Sequence, residues 1–159
     1  MFKRLFFVFT KGQINSNIPF FIEHSEKEKE EILSLFILRE EEIPVKYLKS
    51  NIYLDKLQIF CLITSQRFII LEIESQEITF LEIDELDINF GNSLSPTISI
   101  QNQTKTIILH TNGISEINTI LYYVSKVKDA NLYLQKKKQR LEKIAIESKT
   151  KEFITFFST

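Results

Sequence analysis

Along residues 25–40, SEKEKEEILSLFILRE, a polar opening gives way to Ile32, Leu35, Phe36 and Leu38, the spacing of an amphipathic helix. Ser25 stands at the capping position with Glu28 three residues on, as a capping box requires, and Glu26, Glu28, Glu30 and Glu31 suit the positive end of the helix dipole. From Val45 to His110 the period shortens to runs of Ile, Leu, Phe, Tyr and Thr. They predict seven strands at 45–53, 57–64, 67–74, 77–83, 85–90, 97–101 and 105–111, joined by polar turns or loops of hairpin length. ELDINF and TISIQ alternate apolar and polar positions, as strands with one wet face do; LQIFCLIT and RFIIL are apolar on both faces and predict cover on both sides. The stretch CLITSQRFIILEI is therefore two strands about a Ser65-Gln66 turn and not a membrane span. After Asn112-Gly113 the period is helical again, with Ser115 as cap and Ile117, Ile120, Leu121, Val124 and Val127 on one face able to close a sheet. A second helical stretch is predicted to restart beyond residues 129–131, through Leu134, Leu141 and Ile144.

With 159 residues, 43% hydrophobic and 26% charged, the chain fits one folded domain. The organisation predicted is a single unit: an N-terminal extension (1–44) with the helix at 25–40, a sheet-and-helix core (45–127) and a basic helical tail (128–159). The N-terminal MFKRLFFVFTKGQ has only five consecutive apolar residues, short of the roughly 7–15 of a secretory signal, so a cytoplasmic location is expected. No window approaches about 18 uninterrupted apolar residues. The lone Cys61 sits in an apolar run and reads as a small core residue.

Seven antiparallel strands followed by one amphipathic helix is the order of the pleckstrin-homology superfold. CLITSQRFIIL, preceded by REEEIPVKYLKSNIY with its acidic residues ahead of the first strand, resembles the bacterial members of that group over about residues 38–127. The resemblance implies an α+β fold, a bent antiparallel sheet plugged at one end by the helix, here with an extra N-terminal helix and a basic C-terminal helical extension. It also makes inositol lipid a ligand to consider. Only Lys46, Lys49 and Lys56 lie near the first strands, with no tight basic cluster, so phosphoinositide is not the expected ligand.

Catalytic chemistry finds little footing. His24, His110 and a single cysteine make no zinc pattern, and there is no phosphate loop, nucleophile elbow or HExxH motif. A non-enzymatic protein with no metal and no cofactor is expected.

Charge is more telling. Residues 1–125 carry 11 basic and 17 acidic side chains, net −6, whereas residues 126–159 carry 9 and 4, net +5. No basic residue lies between Phe68 and Thr104, the stretch that holds Glu72, Glu74, Glu77, Glu82, Asp84, Glu85 and Asp87. Gathered on one sheet face, these seven would attract a basic protein and repel phosphate. Lys136, Lys137, Lys138, Arg140 and Lys143 read as a solvated helix face, so nucleic acid is not the expected partner. Nine of the 14 phenylalanines lie near the chain ends, which predicts termini that fold back onto the domain or pair in a homodimer. The function expected is an interaction module for a basic protein partner. The alternatives are an immunity protein that neutralises a bacterial toxin, or a peripheral membrane protein held by the N-terminal aromatics and the basic helix.

Overall fold

Short polar connections favour antiparallel pairing of neighbouring strands, and every strand pair in the computed structural model is antiparallel. It describes residues 18–49, 51–91, 96–141 and 146–158, with backbone alone for 138–141 and 146–148. Two helices, α1 (Pro19–Glu23) and α2 (Glu26–Leu35), precede β1 (Pro44–Leu48), β2 (Ile52–Leu54), β3 (Leu57–Thr64), β4 (Arg67–Glu72) and β5 (Ile78–Glu82). A 3-10 turn (Ile83–Glu85) leads to β6 (Asp87–Gly91), β7 (Thr97–Gln101) and β8 (Thr106–Thr111), then α3 (Ile114–Leu141) and α4 (Ile146–Ser158). The sheet order is β5-β4-β3-β2-β8-β7-β6, with β1 also paired to β3.

The predicted strand at 45–53 is two strands. β1 and β2 lie end to end along β3, Leu48 opposite Cys61 and Leu54 opposite Leu57, but only β2 reaches β8, through Ile52–Thr111 and Tyr53–His110. The chain turns between them, with Asn51 in the left-handed region (φ 62°), and this bend divides the sheet into two halves. The β2–β3 connection is a two-residue turn in which both Asp55 and Lys56 have positive φ, the twist a tight hairpin needs. Other predicted bounds shift as well. Glu85 belongs to the 3-10 turn and its strand starts at Asp87; the strand predicted to Glu74 ends at Glu72; the helix predicted to Glu40 ends at Leu35; and the helix predicted to break at 129–131 runs through them to Leu141, with Ala130 buried and Ile144 outside the described residues.

Strands β3 and β4 are covered on both sides, as their composition predicts. Cys61, Ile63, Phe68 and Ile70 are buried on one face; on the other Leu62, Ile69 and Leu71 are buried. The N-terminal extension forms part of the outer cover: Tyr47 contacts the rings of His24, Phe36 and Phe60 at 6.1, 6.1 and 5.8 Å, and Phe20 lies 5.5 Å from His24. The capping box at α2 forms, Glu28 N donating to Ser25 Oγ and Ser25 N to Glu28 Oε1. On α3, Ile117, Ile120, Val124 and Val127 are buried, whereas Leu121 is only half-buried at the edge of that face.

α4 runs back along α3, stacking Phe156 on Tyr133 at 5.3 Å and Phe157 on Tyr123 at 6.2 Å, with an ion pair between Lys137 and Glu152. Phe153 and Phe157 are buried in this contact and Phe20 and Phe21 at the other end. Phe2, Phe6, Phe7 and Phe9 lie outside the described residues. The protein is an α+β fold: a bent antiparallel sheet closed by a C-terminal helix, with helical additions before and after.

Candidate functional site

The β3–β4 turn is where sequence-distant polar residues meet. Thr64 Oγ1 accepts the backbone N–H groups of Gln66 (3.1 Å) and Arg67 (2.8 Å), taking the place of a backbone carbonyl, and donates its own proton to Glu42. Glu42 is fully buried and receives Arg67 Nε at 2.8 Å and Nη2 at 2.7 Å. Arg67 also donates to the Ile37 carbonyl, so the segment after α2 is tied to the start of β4. Outside this knot Arg39 forms a second two-point pair with Glu82, at 2.6 and 2.7 Å. Both guanidinium groups rest over the Phe80 ring, Arg67 at 4.7 Å and Arg39 at 5.4 Å. The hydrogen bonds from Arg39 hold the Glu82 carboxyl below the usual glutamate range.

The seven acidic residues do not gather on one face. Glu72, Glu74 and Glu77 stand at the β4–β5 hairpin end, and Glu82, Asp84, Glu85 and Asp87 around the 3-10 turn at the other. The five residues of β5 separate the two groups by about 17 Å. Among the described residues Glu82 alone of the seven forms an ion pair. Glu72 accepts from Ser75 Oγ, and Asp84 from Asn131 Nδ2 (3.1 Å), which also donates to the Ser65 carbonyl at 2.8 Å.

Beyond Asp84 a cavity of about 790 Å³ opens between the β3–β4 turn, the 3-10 turn and the paired helices. Glu41, Glu82, Asp84 and Asp129 line it together with Lys128 and Lys149. Lys128 spans the cleft to donate to the Leu86 carbonyl at 2.6 Å. Glu41 and Asp129 escaped the sequence reading: the first sits in an acidic triplet that looks solvated, and the second in a presumed interruption of the helix. Their meeting depends on the fold, and nothing local marks it.

The three lysines near the first strands do not converge either. Lys46 is bound to both carboxylate oxygens of Glu23, and Lys56 sits in the β2–β3 turn, beyond the far end of the β1–β2 lane. Burial pushes the Cys61 thiol far up, against any nucleophilic use. Among the described residues no group of three or more His, Cys, Asp and Glu could hold a metal ion, and no helix is long and apolar enough to cross a membrane.

One solved structure, the Vps36 N-terminal PH domain, aligns with 61% of this chain and 86% of its own length, at 18% identity and a TM-score of 0.48. No family model and no curated protein matches the chain.

Proposed function

We propose that this protein is a non-enzymatic interaction module whose acidic surface, running along β5 to the cavity beyond Asp84, binds a basic protein partner. The observation that carries the reading is the missing counter-charge. Six of the seven carboxylates at the ends of β5 have no cationic partner among the described residues, in a stretch of sequence without a single Lys or Arg. Uncompensated charge of one sign raises the rate of encounter with the opposite sign and repels like-charged surfaces. Phosphoinositide headgroups and nucleic acid are disfavoured on the same ground, and the commitment of Lys46 to Glu23 removes a cation that a headgroup would need.

The test uses the four of these residues whose side chains have no bonded partner among the described residues. A variant carrying Glu74→Lys, Glu77→Lys, Glu85→Lys and Asp87→Lys leaves the Arg39–Glu82 and Asn131–Asp84 contacts in place. Host proteins retained by the wild-type chain should be released as salt rises from about 50 to 500 mM and should not be retained by the variant. Retention unchanged by both salt and reversal would overturn the acidic-surface reading.

A further inference from the structure

Among the described residues the outer edge of β5 is unpaired. β5 pairs with β4 alone, and Glu72 N donates to Glu77 O (2.9 Å) while Ile83 N donates to Gln66 O (2.8 Å). With the register Arg67–Glu82 through Leu71–Ile78, these two bonds fix the alternation. Thr79 and Leu81 turn their backbone groups toward β4; Ile78, Phe80 and Glu82 turn theirs outward. Among the described residues the N–H groups of all three and the C=O groups of Ile78 and Phe80 have no bonded partner, while the Glu82 C=O caps the start of the 3-10 turn. The side chains at this edge are unusually apolar for an exposed strand, Ile78 and Phe80 each being 41% exposed.

Proteins commonly protect such an edge with a proline, a bulge, an inward charge or a covering helix. Residues 78–82 have no proline and pair with β4 without a bulge, and their only charge, Glu82, is at the end. What flanks the edge is negative charge at both ends, Glu74 and Glu77 before it and Asp84 and Glu85 after it. That arrangement discriminates between occupants. A second copy pairing antiparallel through the same edge would set the hairpin-end carboxylates of one chain against the 3-10-turn carboxylates of the other, with no basic residue between Phe68 and Thr104 to relieve them. A strand with basic residues at its two ends meets the opposite situation.

We infer that β5 accepts an extended segment of the partner as an added antiparallel strand, with two apolar side chains two residues apart against Ile78 and Phe80 and Lys or Arg at both ends. The inference rests on the proposed function and specifies its mode: main-chain bonds to Ile78, Phe80 and Glu82 supply affinity, and the flanking carboxylates supply selection. The Arg39–Glu82 pair and the two guanidinium groups over Phe80 hold the strand's outer face in place before binding.

The probe is the synthetic peptide Lys-Arg-Val-Thr-Val-Thr-Val-Arg-Lys, titrated into the full chain with backbone amide exchange followed by NMR. Exchange at Ile78, Phe80 and Glu82 should slow by about tenfold or more at saturation, with Thr79 and Leu81 unchanged because their bonds already exist. The same peptide N-methylated at alternate residues, on the edge that would face β5, should lose binding, which tests strand addition without altering the protein. Ile78→Pro removes an outward N–H that the fold does not use and should abolish binding while keeping the native spectrum. Binding of the N-methylated peptide, slowed exchange elsewhere only, or protection of Ile78 and Phe80 already present in the free chain would overturn strand addition. A peptide with Glu in place of its four basic residues separates the two claims: equal binding at the β5 edge would overturn the basic-partner reading and leave strand addition standing. No binding by any peptide would overturn the inference and leave the acidic-surface test above to decide the function.

Discussion

Glu42 and Arg67 form a buried two-point ion pair, Nε and Nη2 of the arginine at 2.8 and 2.7 Å from the two carboxylate oxygens, with the glutamate wholly excluded from solvent. The pair joins the chain just before β1 to the first residue of β4, and Thr64 completes it. Removing one partner leaves the other buried without compensation, so Glu42→Ala or Arg67→Ala should each cost about 3–5 kcal/mol. The double variant Glu42→Ala/Arg67→Ala should cost well under the sum of the single changes, because neither charge is then stranded. Urea unfolding of the four proteins in a double-mutant cycle measures this. Additive single effects would show that the two residues act separately.

The Arg39–Glu82 pair should lose its contribution to stability in acid. The Glu82 carboxyl is depressed in the fold, chiefly by the hydrogen bonds from Arg39, so it binds its proton less readily folded than unfolded. Its contribution is complete above the ordinary glutamate value of about 4.3 and is lost as pH falls through the lower folded value. Both partners are about two-fifths exposed, which makes the contribution small. Glu82→Gln should therefore narrow the gap to wild type as pH drops below about 4, with a constant gap between about pH 6 and 8. A gap that widens toward acid would reverse the assignment.

The closing face of α3 separates two neighbours that the sequence treats alike. Ile120 is wholly buried and Leu121 half-buried, although both fall on the predicted apolar stripe. Ile120→Ala should cost about 2–5 kcal/mol and Leu121→Ala less than half as much, measured by chemical unfolding. Equal losses would place the helix rotated from this orientation.

The period of the apolar positions reveals much of this fold because burial on a sheet leaves a two-residue signature and burial on a helix a 3.6-residue one. LQIFCLIT and RFIIL, apolar on both faces, showed that something covers the outside of β3 and β4. They could not show what, since part of the cover comes from residues 18–38 and the pairing of distant segments leaves no periodic trace. The split between β1 and β2 was hidden for a similar reason. The bend uses Asn51 at positive φ, with no Gly or Pro to announce it. Asp129-Ala130-Asn131 looks polar and predicts a break in α3, yet Ala130 continues the buried stripe while Asn131 turns to the Ser65 carbonyl. At the candidate site the acidic bias was legible as composition. Its division between the two ends of β5, and the recruitment of Glu41 and Asp129, needed the strand register and the helix crossing. The open edge itself was invisible to the sequence, because which strand ends a sheet is a property of the whole topology.

The C-terminal aromatics allow a choice between core and membrane that one residue can decide. Phe157 is buried, stacked within 6.2 Å of Tyr123 and 5.9 Å of Phe153, with the Lys126 ammonium 4.8 Å from its ring centre. A side chain held on three sides by the fold contributes to folding, so Phe157→Ala should lower stability by about 3–5 kcal/mol. Thr155, exposed on the same helix, gives the control: Thr155→Ala should stay within about 0.5 kcal/mol of wild type. If α4 served instead as a membrane anchor that leaves the domain, Phe157→Ala would barely move the urea midpoint and would reduce flotation with anionic liposomes. The packing predicts the reverse on both counts: a large fall in the midpoint, and no loss of flotation attributable to Phe157, because its ring faces Tyr123 and not solvent.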